Sequence, residues 1–485
     1  MPTRGSRSSV LSSRVDRRRF LQRSGVAGAG LAGLAAGAPA FVRGAGATTQ
    51  ATPEITRQPS SASVDGALRV LLKDDFHPDH NAFMRAELEA YAEASGWTIE
   101  ITDVAGFQGG GDLNQQLLGS VQAGNQPDLL IHDVGARNMH TLGLLDPVTE
   151  LSNELFAEHG DPIQGARFDS EFEDEWWAVP FFTRSGGYYI RRDLFEAAGL
   201  DVNADTETYD KMRDAALAVS KPDQQQWGWG MSINRSGDGT ALVQNVIFRF
   251  GGTLQDETGQ IVTFDSPETI AALNWLKETY TDPRFANILP PGVLSWTDPN
   301  NNESFLAGQS VITQNAGTMY AKAKLDQVPF ANDIAYVAYP VRNSDGARLD
   351  FLSGGMKFFA ITGAKNRAAV DDVVRHFLTL PVQQTVWTIS LGYALPAYRE
   401  GWEDPIITSD PNSMAGKEIA LTETDFNGLP WPGEDNAAVA SIASGVAYTD
   451  MMAEVMQGRS TEEVVADYHS QFVQIFQDFG LQGEE

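Results

Sequence analysis

Few residues of this 485-residue chain are spaced for covalent chemistry. It contains no cysteine, which removes thiol nucleophiles, thiolate metal sites, disulfides and lipid-modified cysteines together. Neither His-Glu-x-x-His nor Gly-x-Ser-x-Gly occurs, the spacings that set two imidazoles on a zinc ion or a serine on a nucleophile elbow. Asp298-Pro299-Asn300-Asn301-Asn302 starts like a calcium loop but lacks glycine at the sixth position and glutamate at the twelfth. Asp201-Val202-Asn203-Ala204-Asp205 fails the same test, so no metal is expected. Gly28-Ala29-Gly30-Leu31-Ala32-Gly33 fits G-x-G-x-x-G, which binds a dinucleotide only between a strand and a helix. Here an arginine cluster precedes it, and no cofactor is expected. The 64 carboxylates make an acid–base pair easy to imagine, but abundance selects none of them.

What remains suits recognition. Residues 176–189, WWAVPFFTRSGGYY, hold six aromatics, a proline, an arginine and two adjacent glycines. Flat rings cover apolar faces, while carboxylates, guanidinium groups and amides present several donors or acceptors in fixed geometry. Trp431, between Pro430 and Pro432, is a rigid platform. Trp176, Trp177 and Tyr189 are expected to fill cores. Trp227 and Trp229 alternate, so one should face inward.

The elements that position these residues begin after a long leader. Residues 1–47 carry eight arginines and one aspartate, leaving −36 of the net −29 on the rest. So acidic a body repels phosphate backbones, and no nucleic-acid partner is expected. Arg17-Arg18-Arg19-Phe20-Leu21, a short Ala/Gly/Leu run and Ala45-Gly46-Ala47 together resemble a twin-arginine export signal. Residues 48–66, rich in Thr, Ser, Pro and Gln, read as a disordered linker.

From Ala67 the pattern is α/β. An apolar run at Leu68–Leu72, a helix carrying Phe83, Leu88 and Tyr91, a strand at Thr98–Val104, a helix carrying Leu113, Leu117 and Val121, and a strand at Asp128–Ile131 alternate. This is the pattern of a parallel sheet with crossover helices. Ligands sit outside the carboxyl ends of such strands, which selects the loops 74–77 and 132–137, with Phe76, His77 and Asp133. Farther on, helices are predicted at 193–198, 207–219, 267–280, 367–380, 436–456 and 461–479, and strands at 310–313, 334–339 and 356–362.

Several blocks in order resemble the family-1 extracellular solute-binding proteins of ABC importers, which include maltodextrin binders. They are Gly124-Asn125-Gln126-Pro127-Asp128-Leu129, Leu142-Gly143-Leu144-Leu145-Asp146-Pro147, Arg192-Asp193-Leu194-Phe195-Glu196-Ala197-Ala198-Gly199-Leu200, Phe305-Leu306-Ala307-Gly308-Gln309, Ser353-Gly354-Gly355 and Gly458-Arg459-Ser460-Thr461-Glu462-Glu463. The family's Tyr-Asn before its K-D-L-F helix is Ile190-Arg191 here, so specificity does not carry over. The resemblance implies a two-lobe, type II periplasmic-binding-protein fold. Its lobes would be residues 67–180 with 354–398, and 181–353 with 399–485, crossing at Val179-Pro180, near Ser353-Gly354 and near 398–401. It also implies cleft residues Phe182, Arg184, Gln244, Asn315, Gly317, Tyr320, Gly354 and Trp431. The implied function is hinge-closing capture of a sugar or oligosaccharide outside the cytoplasm, by a monomer that serves ABC permease subunits. A polyamine or glycerol-phosphate solute is the alternative, and a secreted glycoside hydrolase a more distant one.

Overall fold

Two sets of strands whose side chains alternate between apolar layers build two separate sheets. The structure is a computed structural model, and it describes residues 53–105, 111–168, 170–349, 352, 355–421, 432–433, 436–443 and 445–484. The export signal, Gly354 and Trp431 lie outside the described residues. Among the described residues no helix is long and apolar enough to cross a membrane.

The elements that bear on the site, in chain order, begin with β1 (Leu68–Asp74), α1 (Pro78–Ala94), β2 (Ile99–Ala105), α2 (Gly111–Gln122) and β3 (Leu129–His132). Next come β4 (Val179–Pro180), β5 (Phe182–Thr183), β6 (Gly186–Arg191), β7 (Trp227–Trp229), α3 (Gly237–Phe250), β8 (Ser310–Ala316), α4 (Thr318–Leu325) and β9 (Ile334–Val337). The last are β10 (Lys357–Ala360), α5 (Arg367–Leu378), α6 (Leu380–Ser390) and β11 (Leu395–Pro396).

The first sheet has the order β2-β1-β3-β10-β4. Strands β1, β2 and β3 are parallel, and β10 runs against both β3 and β4. Val70, Leu72, Leu129, Ile131 and Phe358 point into one apolar cluster with Met84, Val373 and Phe377. Leu130 and Phe359 point into the opposite one with Leu117 and Met139. Each face is therefore covered by helices, as a parallel sheet requires.

The second sheet has the order β9-β6-β8-β7. β6 is antiparallel to both β8 and β9, and β7 is parallel to β8. Tyr188, Ile190 and Ile312 pack with Val246, Tyr448 and Phe472, while Tyr189 and Tyr336 pack on the other face with Phe305 and Met319. Trp176, Tyr189 and Trp229 are core residues, at 4%, 1% and 0% exposure.

Three expectations are corrected. Residues 53–66 are not a disordered linker but an ordered arm along the first sheet's helices. Arg57 donates to both Glu87 carboxylate oxygens at 2.8 and 2.6 Å. The Glu87 carboxylate also meets His376 Nε2 at 2.7 Å. Ser60 bonds Asp372, and Trp97 Nε1 donates to Ala62 O at 2.9 Å. Polar composition hid these hydrogen-bonded anchors and the sparse apolar ones, Ile55, Ala62 and Val64, which pack against the first sheet's core. The helix expected over 436–456 is two helices, Ala437–Ala443 and Ala447–Met456, with a bend at Gly445 between them. Finally, Trp402 and Ile407 belong to the first sheet's core, so that body continues past residue 398.

Candidate functional site

Three chain passages converge beside β5. The first is β4–β5 itself, since Phe181 N donates to Met356 O at 2.9 Å. A second runs through Gly355, where a Cβ would lie 1.5 Å from Phe182 O; only glycine allows that approach. The third is β11, which pairs antiparallel with β5 through Leu395↔Thr183 and Pro396↔Phe182. On the second-sheet side, Gly317 N donates to Ser185 O at 3.2 Å, and a Cβ on Gly317 would meet Ser185 Oγ at 3.1 Å and Gly392 O at 3.3 Å.

The carboxyl ends of β1 and β3 aim charged side chains at this junction. Lys73, only 2% exposed, lies with Nζ 3.0 Å from Asp75 Oδ2 and 2.7 Å from Asp133 Oδ2. Arg184, on the first passage, donates from Nη2 to Asp133 Oδ2 at 2.6 Å and from Nη1 to Tyr393 Oη at 3.0 Å. Tyr393, fully buried on the third passage, donates its hydroxyl to Asp75 Oδ2 at 2.7 Å. Two cations and two carboxylates thus alternate through one phenol.

Burial alone would raise the Asp133 pKa, but the His132 ring, Arg184 and Lys73 hold it well below the ordinary carboxylate range. At Asp75 burial is likewise outweighed, by Lys73 and the Tyr393 hydroxyl, and the pKa is lowered. Burial pushes the Tyr393 hydroxyl up, so it remains a donor. Both carboxylates are ionised throughout the neutral range.

The expected site residues divide. Asp133 and Arg184 form the network. Phe76 joins them, edge-on to Tyr393 at 4.7 Å and partly exposed. Gly317 follows the carboxyl end of β8 at the junction, while Asn315, near that end, donates to Asn302 Oδ1 at 2.5 Å and accepts from Thr318 Oγ1 at 2.8 Å.

Four others are packed away. His77 is fully buried, and its Nδ1 accepts from His80 N at the start of α1. Phe182 is 2% exposed, edge-on to His80 at 5.5 Å. Tyr320 is 2% exposed; its hydroxyl donates to Asp410 Oδ1 at 2.7 Å, and its ring lies against Gly392. Gln244 faces Tyr448 inside the second sheet's helical layer. In each case tertiary packing takes up the surface that the residue type offered.

Lys73, Asp75 and Tyr393 were missed. The first two were legible as the charged end of a strand at the ligand edge of an open sheet. Tyr393 carries no local signal. A separate cavity of about 400 Å3 opens beside β9, between Tyr336, Tyr339, Glu207, Arg348 and Glu418, and no network residue lines it.

Two α/β lobes joined by converging passages form a two-lobe architecture, and the comparisons place it among binding proteins. The chain belongs to the bacterial extracellular solute-binding protein family, whose model matches residues 77–384. A mannitol-binding protein of Pseudomonas aeruginosa is 26% identical over 264 residues, 53% of this chain and 55% of that protein. The match therefore spans just over half the length of that relative.

Among solved structures, maltose-bound T. maritima MalE3 superposes with a TM-score of 0.67 at 17% identity, covering 85% of this chain and 99% of that one. A ribitol complex of an ABC transporter solute-binding protein from Agrobacterium radiobacter K84 gives 0.67 at 16%, covering 87% and 100%. The fold is the two-lobe, type II periplasmic-binding-protein fold, with its cleft between lobes.

Proposed function

We propose that this protein captures an uncharged polyhydroxylated solute, a sugar or sugar alcohol, by closing its lobes around it, and hands it to an ABC permease outside the cytoplasm. The reading rests on one observation above all: the Asp133–Arg184 pair stands where the chain passages meet. A carboxylate and a guanidinium fixed by each other keep lone pairs and N–H groups that suit hydroxyls, and the partly exposed ring of Phe76 adds an apolar surface. Closure needs solute contacts from both lobes and no bond-making step. The mannitol, ribitol and maltose of the similar proteins are in keeping with this class. The twin-arginine-like leader fits export of an already folded body, and the protein acts as a monomer.

Charge argues against the alternatives. Arg184 is engaged by Asp133 and Tyr393, and two carboxylates match two cations. A polyamine or a phosphorylated polyol would have to unbalance that set, losing paired, desolvated charges in exchange.

A thermal-shift series with mannitol, ribitol, maltose, spermidine and glycerol 3-phosphate tests the reading. One of the uncharged compounds should raise the melting temperature saturably, since ligand at 100 times Kd stabilises by about 2.7 kcal/mol. It should also be recovered intact. A shift with spermidine or glycerol 3-phosphate alone would replace the solute class. Appearance of shorter sugars would replace the binding protein with a hydrolase.

A further inference from the structure

The network does more than furnish solute contacts. Tyr393 belongs to the third passage, Arg184 to the first, and Lys73, Asp75 and Asp133 to the first lobe's strand ends. We propose that Tyr393 is a positioning residue that clips both passages to the first lobe, so that the first passage bends no earlier than the Arg184–Ser185 link and Arg184 meets the solute at a fixed angle. This rests on the solute-capture reading above.

The partners of the chain change at the link between Arg184 and Ser185. Upstream, Thr183 is paired with Leu395, and its hydroxyl donates to Pro396 O at 3.1 Å. Arg184 is held by Asp133 and Tyr393, and Tyr393 in turn by Asp75. These groups are desolvated, so releasing one leaves its partner buried without compensation. Downstream, Gly187 is locked into the second sheet: a Cβ there would lie 2.4 Å from Val337 O and 2.8 Å from the Tyr336 ring. Ser185 O accepts from Gly317 N at 3.2 Å, Gly186 pairs with Ala316, and the Gly186 carbonyl accepts from Tyr336 Oη at 2.9 Å. Contacts to the first lobe therefore end at Arg184 and contacts to the second sheet begin at Ser185. A hinge absorbs its dihedral change at such an element-terminal link.

The Tyr393 hydroxyl is the smallest group whose removal separates this role from packing. Tyr393→Phe keeps the ring, and with it the edge contacts to Phe76 and Phe182 at 4.7 and 5.8 Å. It deletes only the link between Asp75 and Arg184.

The experiment uses the cysteine-free full chain, with spin labels after Ala86→Cys on α1 and Ala218→Cys on the helix Tyr209–Val219 of the second lobe, both positions being exposed. Interlobe distances are read without solute and with mannitol or maltose. The parent should give one narrow distribution. Tyr393→Phe should give one about twofold broader and weaken solute binding about tenfold, as expected for a hydrogen bond to a charged group. Asp133→Asn should broaden it in the same way. If Tyr393→Phe lowers the melting temperature and leaves the distance distribution unchanged, the residue is structural only and the inference is overturned. If no solute shifts the parent distribution, solute capture fails instead, while the solute-free distributions still decide the clip.

Discussion

Replacing Asp133 with alanine is expected to abolish solute capture and to destabilise the fold by about 3 kcal/mol. The carboxylate takes Lys73 Nζ at 2.7 Å and Arg184 Nη2 at 2.6 Å through a single oxygen. Its side chain is 13% exposed, that of Arg184 17% and that of Lys73 1%. Removing it takes a shared carboxylate from Lys73 and Arg184, so two cations lose compensation in low dielectric. Asp133→Asn keeps the shape and one acceptor, and should recover part of the stability and little of the binding. Chemical denaturation with parallel solute titration checks both effects. An Asp133→Ala protein that binds solute normally would remove this network from the site.

The second large effect is a pH-dependent contribution of His80 to stability. Its ring is fully buried, neither nitrogen has a hydrogen-bond partner, and burial pushes its pKa down from 6.5 to about 4. Between those values the unfolded chain binds a proton that the folded chain does not, so the His80 contribution rises with pH across the window, against the opposite contribution of Asp238, whose carboxyl is pushed up to about 7 by burial. The contribution is fully present above pH 6.5 and is lost progressively as pH falls toward 4, a total of about 3 kcal/mol. The lowered carboxylates Asp75 and Asp133 withdraw their stabilisation at lower pH, below the ordinary carboxylate value of 3.8. The two limbs therefore separate. Relative to the parent, His80→Leu should lose that positive contribution to the slope between pH 6.5 and 4 while the more acidic limb persists. An unchanged slope in that variant would assign the acid sensitivity to other groups.

How much of this the sequence disclosed depends on the range over which each signal acts. The order β1-α1-β2-α2-β3 was legible because periodicity is local and each element buries a face of its own length. The same pattern placed Phe76 and Asp133 on the ligand edge, since the rule for open α/β sheets needs only strand direction. The passage at Val179-Pro180 could be read from the resemblance, and pairing with β10 and β11 places its convergence partners. Other features depended on long-range packing. Tyr393 reaches Asp75 from 318 positions away, and nothing in Leu391-Gly392-Tyr393-Ala394 announces a phenol between two charges. His77 and Tyr320 have the right chemistry for a solute but lie inside the protein, a distinction that residue type does not carry. The arm at 53–66 misled for the converse reason: its polar residues find fixed partners in Glu87, Asp372 and Asn366.

Solute capture by this protein requires that its lobes close around the solute. Small-angle X-ray scattering of the full chain with and without the uncharged solute that raises its melting temperature measures this directly. The predicted result is a smaller radius of gyration with solute, saturating with the thermal shift and absent in Asp133→Ala. A saturating thermal shift at unchanged radius of gyration would contradict it, because the solute would then bind to a protein whose lobes do not move.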